Sequence, residues 1–410
     1  MLNEMTIPAE GVIAEDGTYA VDIRRGEVRG ELNRQWANRP DDQRFTSLSD
    51  LTDQVRRWAE QSAETMTTPM GLDAFAEDGR LRFRLGGEGG EIIAPTHHAF
   101  GALAQLARVP ADYLRSDDVP AELAAACLTN GFANASGRGG LRELNAYIRR
   151  PGDGDTLLRA LTSDRYGRIY DWQVAEAVSR IAGDGTGDTR WKIPGTIDWR
   201  SYGAGTVRYD PNTPITKQST TLYASDRDVW MFLCDDRNPI EVGKLDNGNP
   251  DLMFRGFMAW NSEVGARTMG LATMYLRAVC QNRNLWGCEG FRELTVRHTT
   301  TAPGRLSDLV PVLESYANAD TGRLVTAVKA AKAAKVADDE EERIGFLQKF
   351  GFSAKAAKAM IGKATEDEGH PPSSVWDMAQ AVTAAARDVP HQDKRIGMEL
   401  IGQKMLDRVG

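Results

Sequence analysis

NSEVGARTMGLATMYLRAVCQNRNLWG, from Asn261 to Gly287, threads polar side chains through an otherwise apolar run. Arg267, Arg277 and Arg283 place permanent positive charge in it, and Asn261, Asn282 and Asn284 add amide donors and acceptors. The stretch reads either as a binding site or as a buried strand and helix with snorkelling arginines, because arginine stems commonly cover apolar surface. No nucleophile with a partnered base stands beside it, so the first alternative points to binding.

The sequence on both sides is rich in strand signals, from Leu141 to about Thr301. TTLYASDRDVWMFLC (Thr220 to Cys234) and NPDLMFRGFMAWNSEVG (Asn249 to Gly265) carry the aromatic and branched residues that suit a pleated surface. In RELTVRHTTT, Leu294, Val296 and His298 share one face, which makes His298 a packed, hydrogen-bonded histidine rather than a general base. LLRALTSDRYGRIYD (Leu157 to Asp171) reads as a strand and then a turn bearing Arg165, Tyr166 and Arg168, cations and an aromatic ring suited to a phosphate and a base. The bland alternative is a tyrosine at a sheet end with two surface arginines. A helix capped by Asp171 is expected next.

Towards the N-terminus, RLRFRL alternates strictly, so a strand would put Leu81, Phe83 and Leu85 on one face and Arg80, Arg82 and Arg84 on the other. Three like charges at that pitch repel, which fits an anionic partner; a solvated outer sheet face is the alternative. GGEGGE follows as a hairpin or loop, without the Lys and Ser/Thr of a phosphate cradle. Leu48, Leu51, Val55 and Trp58 predict a helix that Ser47 and Asp50 cap, and a second helix starts at Thr96 with Phe100, Leu103 and Leu106 on one face. His97 and His98, adjacent in its first turn, cannot point one way, so they read as exposed polar residues and not as a metal pair.

After Pro303 the composition turns to Ala, Lys, Glu and Leu and predicts a helical C-terminal region. Lys329, Lys332 and Lys335 read as a solvated face or as backbone-phosphate contacts, and Ser374 with Asp377 repeats the capping pattern. The expected organisation is an N-terminal arm (1–45), a core (46–303) and a helical region (304–410). The expected fold class is α+β, a mixed or antiparallel sheet core with packed helices.

Composition narrows the function. The 410 residues are 41% hydrophobic and 26% charged, and no apolar run approaches the roughly 20 residues that span a bilayer, so no membrane partner is expected. The N-terminus lacks a signal-peptide succession, and Cys127, Cys234, Cys280 and Cys288 are scattered; a cytoplasmic protein without disulfides is expected. Cys280, Cys288 and His298 lack the close pairs of a zinc ribbon, so no metal and no cofactor are expected. A net charge of -8 excludes a protein that coats duplex nucleic acid with its whole surface, but not one with a local basic groove. With 5 histidines and no HExxH, GxSxG, Walker A or Cys-x-x-Cys pattern, a binding role is favoured over an enzymatic one.

RPDDQRF (Arg39 to Phe45), THHAFGALAQLARVPADYL (Thr96 to Leu114), LTSDRYGRIYD (Leu161 to Asp171), NSEVGARTM (Asn261 to Met269), LRAVCQN (Leu276 to Asn282) and VRHTTTAPGRL (Val296 to Leu306) occur in that order. Over most of residues 36 to 310 the chain resembles a phage- and plasmid-encoded protein family of unknown function. It departs from that family's Thr-Asn-Gly after the cysteine, carrying Gln281, Asn282 and Arg283. That family is distantly similar to phage single-strand annealing proteins of the RecT, Erf and Red-beta kind. The resemblance implies single-stranded DNA as partner, self-association into a ring or filament, and ATP-independent annealing in a bacterial host cell. Expected contacts are Arg80, Arg82, Arg84, Arg165, Tyr166, Arg168, Arg267, Arg277 and Arg283, with Lys217 and Arg255 as additions. The rivals are a protein-interaction or counter-defence factor and a metal-dependent nuclease.

Overall fold

In the computed structural model the described residues are 39–116, 118–137, 143–152, 154–186, 189–193, 215–217, 220–244, 248, 250–277, 283–284, 294–386 and 392–408. The N-terminal arm before Arg39, Asn282, Cys280 and Cys288 lie outside them, as do the side chains of Arg277, Arg283 and Asn284.

β1 (Arg44–Phe45) leads into α1 (Leu48–Glu60), where the Ser47 hydroxyl accepts from the Asp50 amide at 3.1 Å and Leu48, Leu51 and Val55 turn inward. Then come β2 (Ser62–Thr67), β3 (Leu72–Glu77), β4 (Arg80–Leu85) and β5 (Glu91–Pro95). The β3–β4 hairpin closes on Asp78 and Gly79 at φ 51° and 69°, the positive values that a two-residue Asp-Gly turn needs to match strand twist. α2 (His97–Ala107), α3 (Ala111–Leu114) and α4 (Ala121–Gly137) follow, then β6 (Leu144–Arg149) and β7 (Thr156–Ser163).

These strands form a six-stranded sheet in the order β2-β6-β7-β5-β4-β3, antiparallel except where β5 runs parallel to β7. One face carries Phe83, Ile93, Ile148 and Leu158 and is covered by Phe100 and Leu103 of α2 and Leu128 and Phe132 of α4. The pairing of β6 with β7 slips by one residue: Tyr147 opposes Ala160 and Ile148 opposes Leu158, so Arg159 is the extra residue of a β-bulge. A bulge re-aims a side chain, and here it turns Arg159 away from the helices.

The second half begins with α5 (Asp171–Ala182) and β8 (Trp191–Lys192), followed by β9 (Leu222–Ala224), β10 (Val229–Lys244), β11 (Pro250–Asn261), β12 (Met269–Arg277), β13 (Arg283–Asn284) and β14 (Leu294–Val296). With β1 they make an eight-stranded sheet in the order β1-β9-β10-β11-β12-β13, where β8 joins β10 and β14 joins β12. Every pairing in it is antiparallel. The described part of the stretch from Met269 to Arg277 is therefore strand. Gly270 is required there, because a Cβ would stand 2.1 Å from the Trp260 ring across the β11–β12 pair.

α6 (Leu309–Ala317), α7 (Gly322–Ala333), α8 (Glu340–Gln348), α9 (Ala354–Glu368), α10 (Val375–Ala386) and α11 (Gln392–Leu406) complete the chain. Ser374 and Asp377 cap α10 reciprocally, the Asp377 amide donating to the Ser374 hydroxyl at 3.1 Å and the Ser374 amide to the Asp377 carboxylate at 3.0 Å. Leu313, Leu324, Val328 and Trp376 from this layer share one apolar cluster with Met231, Val242 and Phe257 of the eight-stranded sheet. The composition shift at Pro303 thus marks a change from sheet to covering layer over the same core. Among the described residues, no helix is long and apolar enough to cross a membrane.

Candidate functional site: the seam between the sheets

The face of β6 and β7 that turns away from α2 and α4 meets the turn after β11. Alternation on β6 places Asn145, Tyr147 and Arg149 on that face, and the bulge adds Arg159. Glu263, from the turn, accepts from the Arg159 guanidinium through Oε1 and from the Asp171 amide at 3.0 Å through Oε2. Asp171 Oδ1 in turn accepts from Asn261 Nδ2 at 2.7 Å and from the Glu263 amide at 3.3 Å. Each carboxylate therefore binds the other residue's backbone. Burial and the nearby Glu263 charge hold the Asp171 carboxyl well above the usual range, against the pull of Arg159 and Asn261.

Asp171 accordingly does not cap α5. It is the first helical residue, and the Gln173 side chain accepts from the Tyr170 amide at 3.1 Å instead. The aspartate is drawn across the seam because the buried Asn261 and Glu263 donors have no water to replace it.

A second tier surrounds this pair. Arg168 binds Glu64 at 2.7 Å through Nε, donates to the Glu263 carbonyl, and lies 4.1 Å from the centre of the Tyr147 ring. Tyr166 donates to the Ser262 carbonyl at 3.2 Å and stacks on His298 with ring centres 5.0 Å apart. His298 contacts the Gly167 carbonyl at 3.3 Å through Nδ1, so it is a packed histidine. Asp228, in the turn between β9 and β10, receives Arg39 at 2.5 Å and pairs with Arg267 at 3.4 Å. Burial alone would raise the Asp228 carboxyl, but Arg39, Arg227 and Arg267 outweigh it and hold it at about 2.

The histidine pair departs from expectation. His98 is half-buried, with Nε2 3.0 Å from the Val264 carbonyl, and His97 is half-buried beside Arg115 and Arg227. Neither is a freely exposed polar residue, because the start of α2 is pressed against the β11 turn. Burial first, then the two arginines, push His97 down to about 4.

The expected contact residues fall into three groups. Arg168 and Arg267 are held in the seam by carboxylates, Tyr166 is tied to the β11 turn, and the buried Arg255 donates to the Ala319 carbonyl at 2.5 Å. Their guanidinium and hydroxyl groups are joined within the chain, which removes Arg168, Arg255 and Arg267 as open phosphate contacts. Arg80, Arg165 and Lys217 are exposed, while Arg82 and Arg84 lie partly exposed on β4, between β5 and β3 of the six-stranded sheet. Arg277 and Arg283 are located on β12 and β13 by backbone only.

Sequence reasoning passed over Arg149, Arg159, Arg227 and Glu263. The available signal was an arginine inside an apolar strand run, as in Leu157-Leu158-Arg159-Ala160-Leu161, where no solvated face explains the charge. The seam's carboxylates accept from internal donors, and no group of three or more His, Cys, Asp or Glu among the described residues could hold a metal ion. These features define an α+β protein whose two sheets are joined by buried ions. No family model, curated protein or solved structure matches the chain.

Proposed function

We propose that the chain binds single-stranded DNA along the open face of the six-stranded sheet and anneals complementary strands without ATP, in the recombination or replication of a phage or plasmid. The observation that carries this reading is the β4 stripe. Arg82 and Arg84 project from the sheet face opposite α2 and α4, and Ile92, directly across from Arg84 on the same face, is 45% exposed. Arg84 lies 4.6 Å from the centre of the Phe75 ring, which gives the face an aromatic and apolar floor as well as charge.

The acids beside the stripe hold it loosely. Arg82 stands 3.8 Å from Glu77 and 3.5 Å from Asp155, and Arg84 stands 3.5 Å from Asp73. Long, partly exposed pairs of this kind contribute about 0–1 kcal/mol each, so a strand phosphate can take the place of a carboxylate. Membership of the phage and plasmid family and self-association into a ring or filament rest on the sequence resemblance and belong to the same proposal. The exposed Ile92 favours a second reading, in which this face docks a protein.

Titration of labelled single strands of about 30 nucleotides, duplex and RNA over a salt series separates the two. The expected result is single-strand binding at low salt, with the logarithmic salt slope reduced by about 2 in Arg82→Gln/Arg84→Gln. Absence of single-strand binding at low salt would overturn the proposal.

A further inference from the structure

Arg149, half-buried, differs from the other arginines of the seam. Arg159 has Glu263, Arg168 has Glu64, and Arg39 and Arg267 share Asp228. Arg149 pairs with no carboxylate among the described residues; its Nε and Nη1 are buried without a hydrogen-bond partner, which leaves Nη2 as its open nitrogen. Its guanidinium lies 5.3 Å from the centre of the Trp58 ring. Arg227, on the β9–β10 turn, is also half-buried, and its Nε has no hydrogen-bond partner.

Asp226 attracts both arginines without pairing with either, and its carbonyl accepts from Arg159 at 3.0 Å. Arg149 thus feels Asp226 and Glu263 only at a distance, whereas Arg227 has Asp228 as its leading charge partner. Burial first, and then repulsion from Arg159, push Arg149 down to about 10, so its charge is held against an opposing environment. His97 stands beside Arg227 as a neutral ring, held down by burial and by the arginines next to it, and so brings no further charge. A buried cation without a hydrogen-bonded counter-ion is destabilising, and an oxyanion that met Arg149 through Nη2 would supply one.

We propose that Arg149 receives one phosphodiester of a single strand that runs from the open sheet face into the seam. The inference rests on the single-strand reading above. It adds a fixed phosphate position on β6, separated from the β4 stripe by β7 and β5, where the ligand supplies the missing counter-charge. The β4 arginines hold the strand loosely, and Arg149 sets where it enters.

Two measurements test it on the full chain. The first is thermal melting with inorganic phosphate against chloride at matched ionic strength. Phosphate is expected to raise the melting temperature of the wild type more than that of Arg149→Gln, which keeps only the general stabilisation by an excluded salt; an equal rise in both would overturn the site. The second is titration with a thymidine oligonucleotide of about 30 residues, where Arg149→Gln should lower the salt slope by about 1 and Arg149→Lys should preserve it. If the wild type binds the strand and Arg149→Gln binds it with the same slope and affinity, the site is wrong and the single-strand reading stands. If the wild type binds no strand but phosphate protection still depends on Arg149, the reading fails and the anion site stands. Removal of an unpaired cation does not threaten folding, and Arg149→Lys controls for shape.

Discussion

Trp376, Met378, Ala379, Ala381 and Val382 of α10 and Arg159, Asp171, Asn261 and Glu263 of the seam are all at or below 2% exposure. The first set fills space with alkyl and aromatic groups. The second places charges and amides in positions that only their partners satisfy. An apolar contact is non-directional and tolerates repacking, whereas a buried ion pair offers little net stability and large penalties for misplacement. The helical layer therefore stabilises the eight-stranded sheet, and the seam specifies how the two sheets meet.

The largest expected effect tests the apolar side. Trp376→Ala should destabilise the chain by about 4 kcal/mol in denaturant unfolding, since it empties a fully buried indole site that no single second substitution refills. Glu263→Gln should cost about 3 kcal/mol, because it leaves the Arg159 charge buried and uncompensated. The contrast sharpens in the double variant. Arg159→Met/Glu263→Met should recover most of that loss while moving the melting temperature of phosphate-free protein little, as expected when a buried pair is replaced by apolar volume. A double variant as unstable as the single one would break the comparison and give the seam a stabilising role of its own.

The smallest effect is a pH dependence. His97 sits at about 4 in the fold against an ordinary 6.5, so the unfolded chain binds the extra proton. Its contribution is therefore fully present above pH 6.5 and is lost as pH falls through that window towards 4. Discounted for its partial exposure, it amounts to about 1 kcal/mol. His97→Gln should flatten the stability curve over that window by this amount. The difference between the two curves isolates His97, because the raised Asp171 carboxyl works in the opposite direction and favours the fold as pH falls. Parallel curves for wild type and variant would show that His97 is more open to solvent than its place against Arg227 implies.

Several elements were legible in the residue order. The Ser47–Asp50 and Ser374–Asp377 caps, the alternation of Arg80 to Leu85, the helix from Thr96 and the helical composition after Pro303 all follow from local spacing and propensity, which are short-range properties. The packed character of His298 was legible for the same reason. The run from Met269 was ambiguous between strand and helix, because apolar continuity does not distinguish a buried strand from a buried helix; pairing with β11 settled it.

The sequence by itself determined the α+β class, the positions of most elements and the presence of arginine among apolar residues. Only the tertiary structure decided what those arginines do. Arg159, Arg168 and Arg267 pair with carboxylates more than thirty residues away along the chain, and Arg149 pairs with none among the described residues. Charge is visible in a sequence, but its neutralisation depends on long-range approach: a one-residue bulge in β7 and a turn after β11 bring Arg159 onto Glu263, while Arg149 has no carboxylate partner among the described residues.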